Sequence, residues 1–251
     1  MTDTATRVDA SPRHGTLGTS PTRPDGIAKV QGSFEFSSDL HADGALWGAT
    51  LRSPHPYARI VSIDVTPAWK ISGVEAVITA ADVPGKATYG LIDSDQPVFA
   101  SDVVRYVGEA IAAVAADHPE TCKRALAAIV VEYEVLTPLL DPELVIAGTA
   151  EPIHPNGNVL RYQRIESGDP AVTGDVVVEG TYHIGMQDQA FLGLEAALAI
   201  PDVDTGGGGG GVELHIATQW LHEDRGQIAA CLGLPDEQVR LVLGGVGGAF
   251  G

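Results

Sequence analysis

Leu51-Arg52-Ser53-Pro54-His55-Pro56-Tyr57-Ala58-Arg59-Ile60-Val61-Ser62-Ile63-Asp64-Val65 decides how the first half of this chain is built. The apolar run from Ala45 to Arg52 reads as a strand. Two prolines then interrupt it, because a proline nitrogen cannot donate to a sheet ladder. From Ala58 onward apolar and polar residues alternate around Ile60, the period of a half-buried strand. The pattern is strand, corner, strand.

Working outward, Thr66 is expected to cap a short helix with Pro67 at its first position, and Gly73 to end it. Residues 75–79 read as another strand, followed by a turn at Asp82-Val83-Pro84-Gly85. Residues 103–117 are almost continuously apolar, broken at Gly108-Glu109, and read as a buried strand. Asp117 is the expected N-cap of a helix opened by Pro119, with Cys122, Ala125, Leu126, Ile129 and Val130 at helical spacing. Residues 131–136 return to strand. Strands outnumbering helices in this order predict an α+β domain over residues 25–145. Residues 1–24, rich in Thr, Ser, Pro and Asp, are expected to be a disordered leader.

Residues 146–166 read as a linker rich in turn formers. Beyond it, 175–183 and 194–200 are expected strands. Six glycines at 206–211 carry no side chain to hold a ligand and read as a flexible hairpin insertion. A strand at 213–218, a helix at 220–232 capped by Gly233, and a strand at 239–243 complete the pattern. The last strand runs into Gly244-Gly245-Val246-Gly247-Gly248-Ala249-Phe250-Gly251, where glycines let backbone approach something closely. Exposed N–H groups in such a turn can face an anion or a metal-bound oxygen.

Composition narrows the function classes. The chain has 251 residues, 44% of them hydrophobic, enough for a core without disulfides. Acidic residues number 33 against 15 basic ones, a net charge of −18. That opposes nucleic acid or an anionic membrane as the main partner. Two distant cysteines, Cys122 and Cys231, and no signal pattern point to the cytoplasm. Spacing excludes several chemistries. A dinucleotide frame starting at Gly245 puts Phe250 where its last glycine belongs, and a phosphate loop lacks its Lys-Ser/Thr. There is no zinc spacing, no Gly-x-Ser-x-Gly elbow and no iron–sulfur cysteine array. Gly185-Met186-Gln187-Asp188-Gln189-Ala190-Phe191-Leu192-Gly193-Leu194-Glu195 sets amides and carboxylates between apolar segments. It reads either as a polar loop crossing a sheet edge or as a ligand-facing loop.

Six motifs in register carry a resemblance. They are Leu51 to Asp64, Gly73 to Gly85, Val104-Arg105-Tyr106-Val107-Gly108-Glu109, Val131 to Leu136, Thr218 to Pro235, and Gly247-Gly248-Ala249-Phe250-Gly251. Together they resemble the N-terminal part of the molybdenum-binding subunit of the xanthine dehydrogenase and aldehyde oxidase family. The wording of residues 185–191 is most similar to a bacterial xanthine dehydrogenase D-type subunit.

The resemblance implies an α/β hammerhead domain followed, over 167–251, by the beginning of a molybdopterin-binding α+β domain. It assigns Gln187 as the amide that hydrogen-bonds an oxygen on molybdenum, with Gln189 as the alternative from its spacing to Glu195. It assigns Phe250 to a flat substrate, and the main chain of Gly247, Gly248, Ala249, Phe250 and Gly251 to the oxo ligand and the pterin. No side chain is expected to ligate the metal directly. The implied reaction, in purine catabolism, hydroxylates xanthine, hypoxanthine or a similar N-heterocycle at an electron-poor carbon; an aldehyde substrate or a non-catalytic assembly module are the alternatives. The family's glutamate base and most cofactor-binding loops lie later in the subunit. The chain is therefore expected to be a truncated portion holding part of a molybdenum–molybdopterin site, inactive alone. Iron–sulfur and FAD groups are expected on partner subunits or domains.

Overall fold

The computed structural model describes residues 18, 20, 22–169, 171–203 and 210–249. Most of the expected leader, residues 206–209 of the glycine run, Phe250 and Gly251 lie outside the described residues. In chain order the elements are α1 (Gly26–Gln31), β1 (Trp47–Arg52), β2 (Ala58–Asp64), α2 (Thr66–Trp69), β3 (Val74–Thr79), β4 (Thr88–Tyr89), β5 (Gln96–Pro97), β6 (Val103–Val104) and β7 (Ala110–Ala116). They continue with α3 (Pro119–Ala128), β8 (Val130–Val135), α4 (Pro142–Ile146), β9 (Ala197–Val203), β10 (Gly211–Ile216), α5 (Leu221–Leu232) and β11 (Val239–Leu243). The fold is α+β. Its described strands form sheets ordered β1-β7-β3, β6-β2-β8 and β11-β10-β9, with a small β4-β5 ribbon.

The proline corner explains the first two sheets. β1 pairs antiparallel with β7, whereas β2 pairs with β6 and β8. The chain therefore changes sheet at residues 53–57. Ser53 is buried, and its Oγ donates to His55 O at 2.9 Å while accepting from His55 N at 3.1 Å. The polar groups released from the ladder are thus satisfied within the corner. The return passage lies alongside. Ser53 N donates to Glu109 O at 2.8 Å and Gly108 N donates to Ser53 O at 2.8 Å. So residues 103–117 are not one strand. They are β6 and β7, in different sheets, split at the Gly108-Glu109 break. Glu109 is buried there, its carboxylate accepting from Arg105 N at 2.5 Å.

β7 joins two apolar clusters because its side chains alternate. Ala112, Val114 and Ala116 face Ala68, Val77, Cys122, Ala125 and Ile129. Ile111 faces the opposite way, with Ala58, Ile60, Ala100 and Val104. α3 lies on the first cluster. Its N-cap is His118 rather than Asp117, because the His118 ring accepts from Glu120 N at 3.1 Å. α2 begins at Thr66 itself, with Val65 as cap and the Asp64 carboxylate accepting from Thr66 N at 2.9 Å.

In the third sheet β10 runs parallel to β11 and antiparallel to β9. The strand expected at 194–200 is shifted to β9. The one expected at 175–183 is not formed: Val176, Val178 and Tyr182 are each more than 80% exposed, and among the described residues no strand pairs with them. Apolar alternation supplied the strand pattern there without a described partner. α5 ends at Gly233, whose φ of 67° places it in the left-handed region that closes such helices. Two carbonyls in its last turn are taken by the loop after β3: Gly85 N donates to Cys231 O at 3.0 Å and Lys86 N to Ala230 O at 2.8 Å. A Cβ at Gly85 would lie 2.1 Å from Ala230 O, so only glycine allows this docking. No helix among the described residues is long and apolar enough to cross a membrane.

Candidate functional site

β11 delivers the chain to the glycine turn. Gly244 N donates to Ile216 O at 2.6 Å, so the turn begins where the β10–β11 ladder ends. Phe36 forms a parallel bridge with Gly245. A Cβ at Gly245 would stand 1.8 Å from the Phe34 ring, and one at Gly247 would stand 1.9 Å from Gly193 N. These glycines admit the chain's own segments, residues 34–36 on one side and 192–193 on the other. Leu192 N donates to Gly247 O at 3.3 Å and ties the amide-rich loop to the turn.

The turn, that loop and the start of α5 enclose a cleft of about 270 Å³. Val246, Gly247 and Gly248 form one wall, and Gln189, Phe191 and Gly193 another. Thr218, Gln219 and Trp220 of the connection after β10, with Asp224 in the first turn of α5, close it. Thr218 organises this third wall: its hydroxyl donates to the Asp224 carboxylate and accepts from Trp220 N at 3.0 Å. Glu195 and Asp224 line both this cleft and an adjoining, more apolar recess of about 500 Å³ reaching Tyr89 and Cys231. Burial pushes the Tyr89 phenol and the Cys231 thiol above their ordinary values.

The expected site residues separate. Gln189 lines the cleft; Gln187 does not. Gln187 is exposed, and its amide donates to Gly185 O at 3.5 Å, within its own loop. Between Gln189 and Phe191 the chain bends through Ala190 in a left-handed conformation, with Ala190 N donating to the Asp188 carboxylate at 3.2 Å. Gly247 and Gly248 are in the wall, whereas Ala249 is exposed outside it. Phe250 and Gly251 fall outside the described residues. Sequence reasoning missed the segment beneath the turn, Lys29, Phe34 and Phe36. Two phenylalanines two positions apart, with no core of their own nearby, were the available signal.

The lining fits a polar group, offering neutral polar residues beside the Glu195 and Asp224 carboxylates. Val246, Gly247 and Gly248 of the turn, with Gln189, Gln219 and Trp220, border the space, while the Thr218 hydroxyl is already engaged in donating to Asp224. Among the described residues no cluster of three or more His, Cys, Asp or Glu could hold a metal ion.

Comparison with known proteins gives the family. The model of the aldehyde oxidase and xanthine dehydrogenase a/b hammerhead domain matches residues 31–137, and that of the molybdopterin cofactor-binding domain matches 153–251. A probable D-type xanthine dehydrogenase subunit of Bacillus subtilis is 40% identical over 91% of this chain and 30% of that protein. The nicotinate dehydrogenase large molybdopterin subunit of Eubacterium barkeri is 35% identical over 94% of this chain and 55% of that protein. The solved aldehyde oxidoreductase of Desulfovibrio gigas superposes with a TM-score of 0.78 at 28% identity, covering 91% of this chain and 27% of that one. The chain thus spans between 27% and 55% of the length of these relatives. Its sheets, its glycine turn and both matched domains lead to one conclusion: the chain belongs to the xanthine dehydrogenase and aldehyde oxidase family, as molybdenum-binding subunit sequence with an α/β hammerhead domain followed by a molybdopterin cofactor-binding domain.

Proposed function

We propose that the cleft is part of a molybdenum–molybdopterin site at which xanthine, hypoxanthine or a similar N-heterocycle is oxidatively hydroxylated. The observation that carries this reading is the meeting of Gly247, Gly248 and Gln189 around one polar space. In a chain of net charge −18, main-chain and amide donors can face an oxygen-rich group without a cationic side chain. When bound, the cofactor supplies a centre that accepts the substrate's electrons and an oxygen derived from water.

The chain's own residues hold and orient. The turn presents main-chain donors, and the loop over residues 185–195 brings an amide to the oxygen ligand. Gln189 is the amide the cleft contains; Gln187 is the amide the resemblance aligns. Phe250, as the resemblance implies, offers a flat substrate its ring. Residues 25–145 act as the hammerhead scaffold, 146–166 as the linker, and 167–251 as the cofactor-binding portion. Iron–sulfur and flavin subunits carry the electrons away, and the assembly works in the cytoplasm in purine catabolism. The names of two relatives, for xanthine and nicotinate, favour an N-heterocycle. A second reading, an aldehyde substrate, is favoured by the Desulfovibrio gigas superposition.

Steady-state kinetics of the complete enzyme with xanthine, hypoxanthine, nicotinate and an aromatic aldehyde test the reading. A kcat/KM highest for a heterocycle supports it, and one highest for the aldehyde transfers the site to the second reading. Gln187→Ala and Gln189→Ala are expected to separate: the donor's variant loses about 10²-fold in kcat, the scale of removing one preorganised hydrogen bond. Wild-type kcat in both variants overturns the role of the loop.

A further inference from the structure

The glycine turn is held from beneath by a lysine far away in sequence. Lys29, the basic residue in α1, donates from Nζ to Val246 O at 3.3 Å across 217 positions. The same ammonium pairs with the Asp25 carboxylate at 2.9 Å and sits 4.7 Å from the centre of the Phe34 ring. Phe36 adds a second ring at 5.6 Å, and the two rings meet edge to face at 5.0 Å. The Lys29 side chain is only 16% exposed, so these contacts act in a partly desolvated place, where a charged hydrogen bond and a cation–π contact are strongest.

The consequence concerns the direction of two amides. No peptide bond among the described residues is cis. In a trans peptide the C=O and the following N–H point to opposite sides. Lys29 fixes Val246 O, and so turns Gly247 N–H away from the lysine. Leu192 N fixes Gly247 O, and so turns Gly248 N–H away from the amide loop. Both glycines border the cleft. Glycine is also the residue type least able to hold a single conformation unaided, so the anchoring has to come from outside the turn.

We propose that Lys29 is a positioning residue for the cleft. Held by Asp25 and Phe34, it sets the orientation of the Val246–Gly247 peptide and hence of the main-chain donors that the glycine turn presents. This role touches neither substrate nor cofactor. It rests on the cofactor reading only for its functional meaning, because the clamp itself exists whatever the cleft binds.

Hydrogen exchange measured by mass spectrometry on the cofactor-free complete enzyme tests it. Lys29→Met keeps the apolar stem and removes the charge; Lys29→Arg keeps the charge. In Lys29→Met, exchange across residues 244–248 should rise roughly tenfold, as expected for loss of one charge-assisted hydrogen bond, while residues 110–116 keep wild-type protection. Lys29→Arg should recover most of that protection. In the loaded enzyme, Lys29→Met should alter the molybdenum(V) resonance spectrum, and Lys29→Arg should restore it. Unchanged exchange at 244–248, or exchange raised equally at 110–116 in both variants, overturns the clamp. Should Lys29→Met not fold, Asp25→Asn is measured in its place, with the same pattern expected and the same results overturning it. Raised exchange with an unaltered spectrum retains the clamp and removes its link to the cofactor.

Discussion

Gly247→Ala probes the junction on which the cleft depends. A Cβ there would lie 1.9 Å from Gly193 N, 2.7 Å from Gly193 Cα and 3.0 Å from Leu192 C. All three are main-chain atoms, so no side-chain rotation relieves the clash. Restoring ordinary contact requires the loop and the turn to part by about 1.5 Å. That separation breaks the Leu192 N to Gly247 O hydrogen bond, 3.3 Å long in the native arrangement. Overpacking costs about 1–3 kcal/mol, and the hydrogen bond adds about 1 kcal/mol. A total of about 2–4 kcal/mol corresponds to a fall of roughly 4–16 °C in the melting temperature of a domain this size. Differential scanning calorimetry reads the shift, with Gly185→Ala as control, because a Cβ at Gly185 meets nothing within 4 Å. Molybdenum content should fall with Gly247→Ala and stay unchanged in the control. A Gly247→Ala protein melting within about 1 °C of wild type, below the effect of 1 kcal/mol, refutes the close approach and the shape of the cleft with it.

Gly85→Val should weaken the docking of the loop after β3 on α5 by about 1–3 kcal/mol, since its Cβ would press on Ala230 O; limited proteolysis near residues 83–90 should quicken, and an unchanged rate removes the docking role. The two thiols should differ in alkylation. Cys122, buried with its Sγ donating to Trp47 O at 3.0 Å, should react at least about tenfold more slowly than the partly exposed Cys231 in the native protein. Burial pushes the Cys122 thiol above its ordinary 9.0, so its protonated form is favoured by folding. That contribution is fully present below pH 9 and is lost as pH rises through the folded value. Cys122→Ala should therefore flatten the alkaline decline in stability measured by urea titration between pH 8 and about 10.5; identical declines in the two proteins contradict the burial effect.

Much of the first domain was legible because local signals and packing agree there. The prolines at 54 and 56 marked the corner, and Gly233 marked the end of α5. The errors arose where tertiary partners decide. Residues 103–117 carry one apolar pattern, but β6 and β7 serve two sheets, and only the paired corner at Ser53 reveals the division. Residues 175–183 have strand composition, but among the described residues no strand pairs with them. At the site, the glycine turn was legible as a place where backbone comes close to something. Sequence reasoning did not show that the approaching atoms are Phe34 and Gly193, since those contacts join residues far apart in sequence. It placed Gln187 ahead of Gln189, whereas which of two amides two positions apart enters the cleft depends on how the loop bends, and that bend passes through Ala190 in a left-handed conformation.

The central claim is that molybdenum sits beside the glycine turn. Anomalous diffraction at the molybdenum edge, from crystals of the complete enzyme, measures this directly. The predicted result is a single peak in the cleft bounded by Gly247, Gly248 and Gln189. A peak elsewhere, with that cleft filled only by water, contradicts the account.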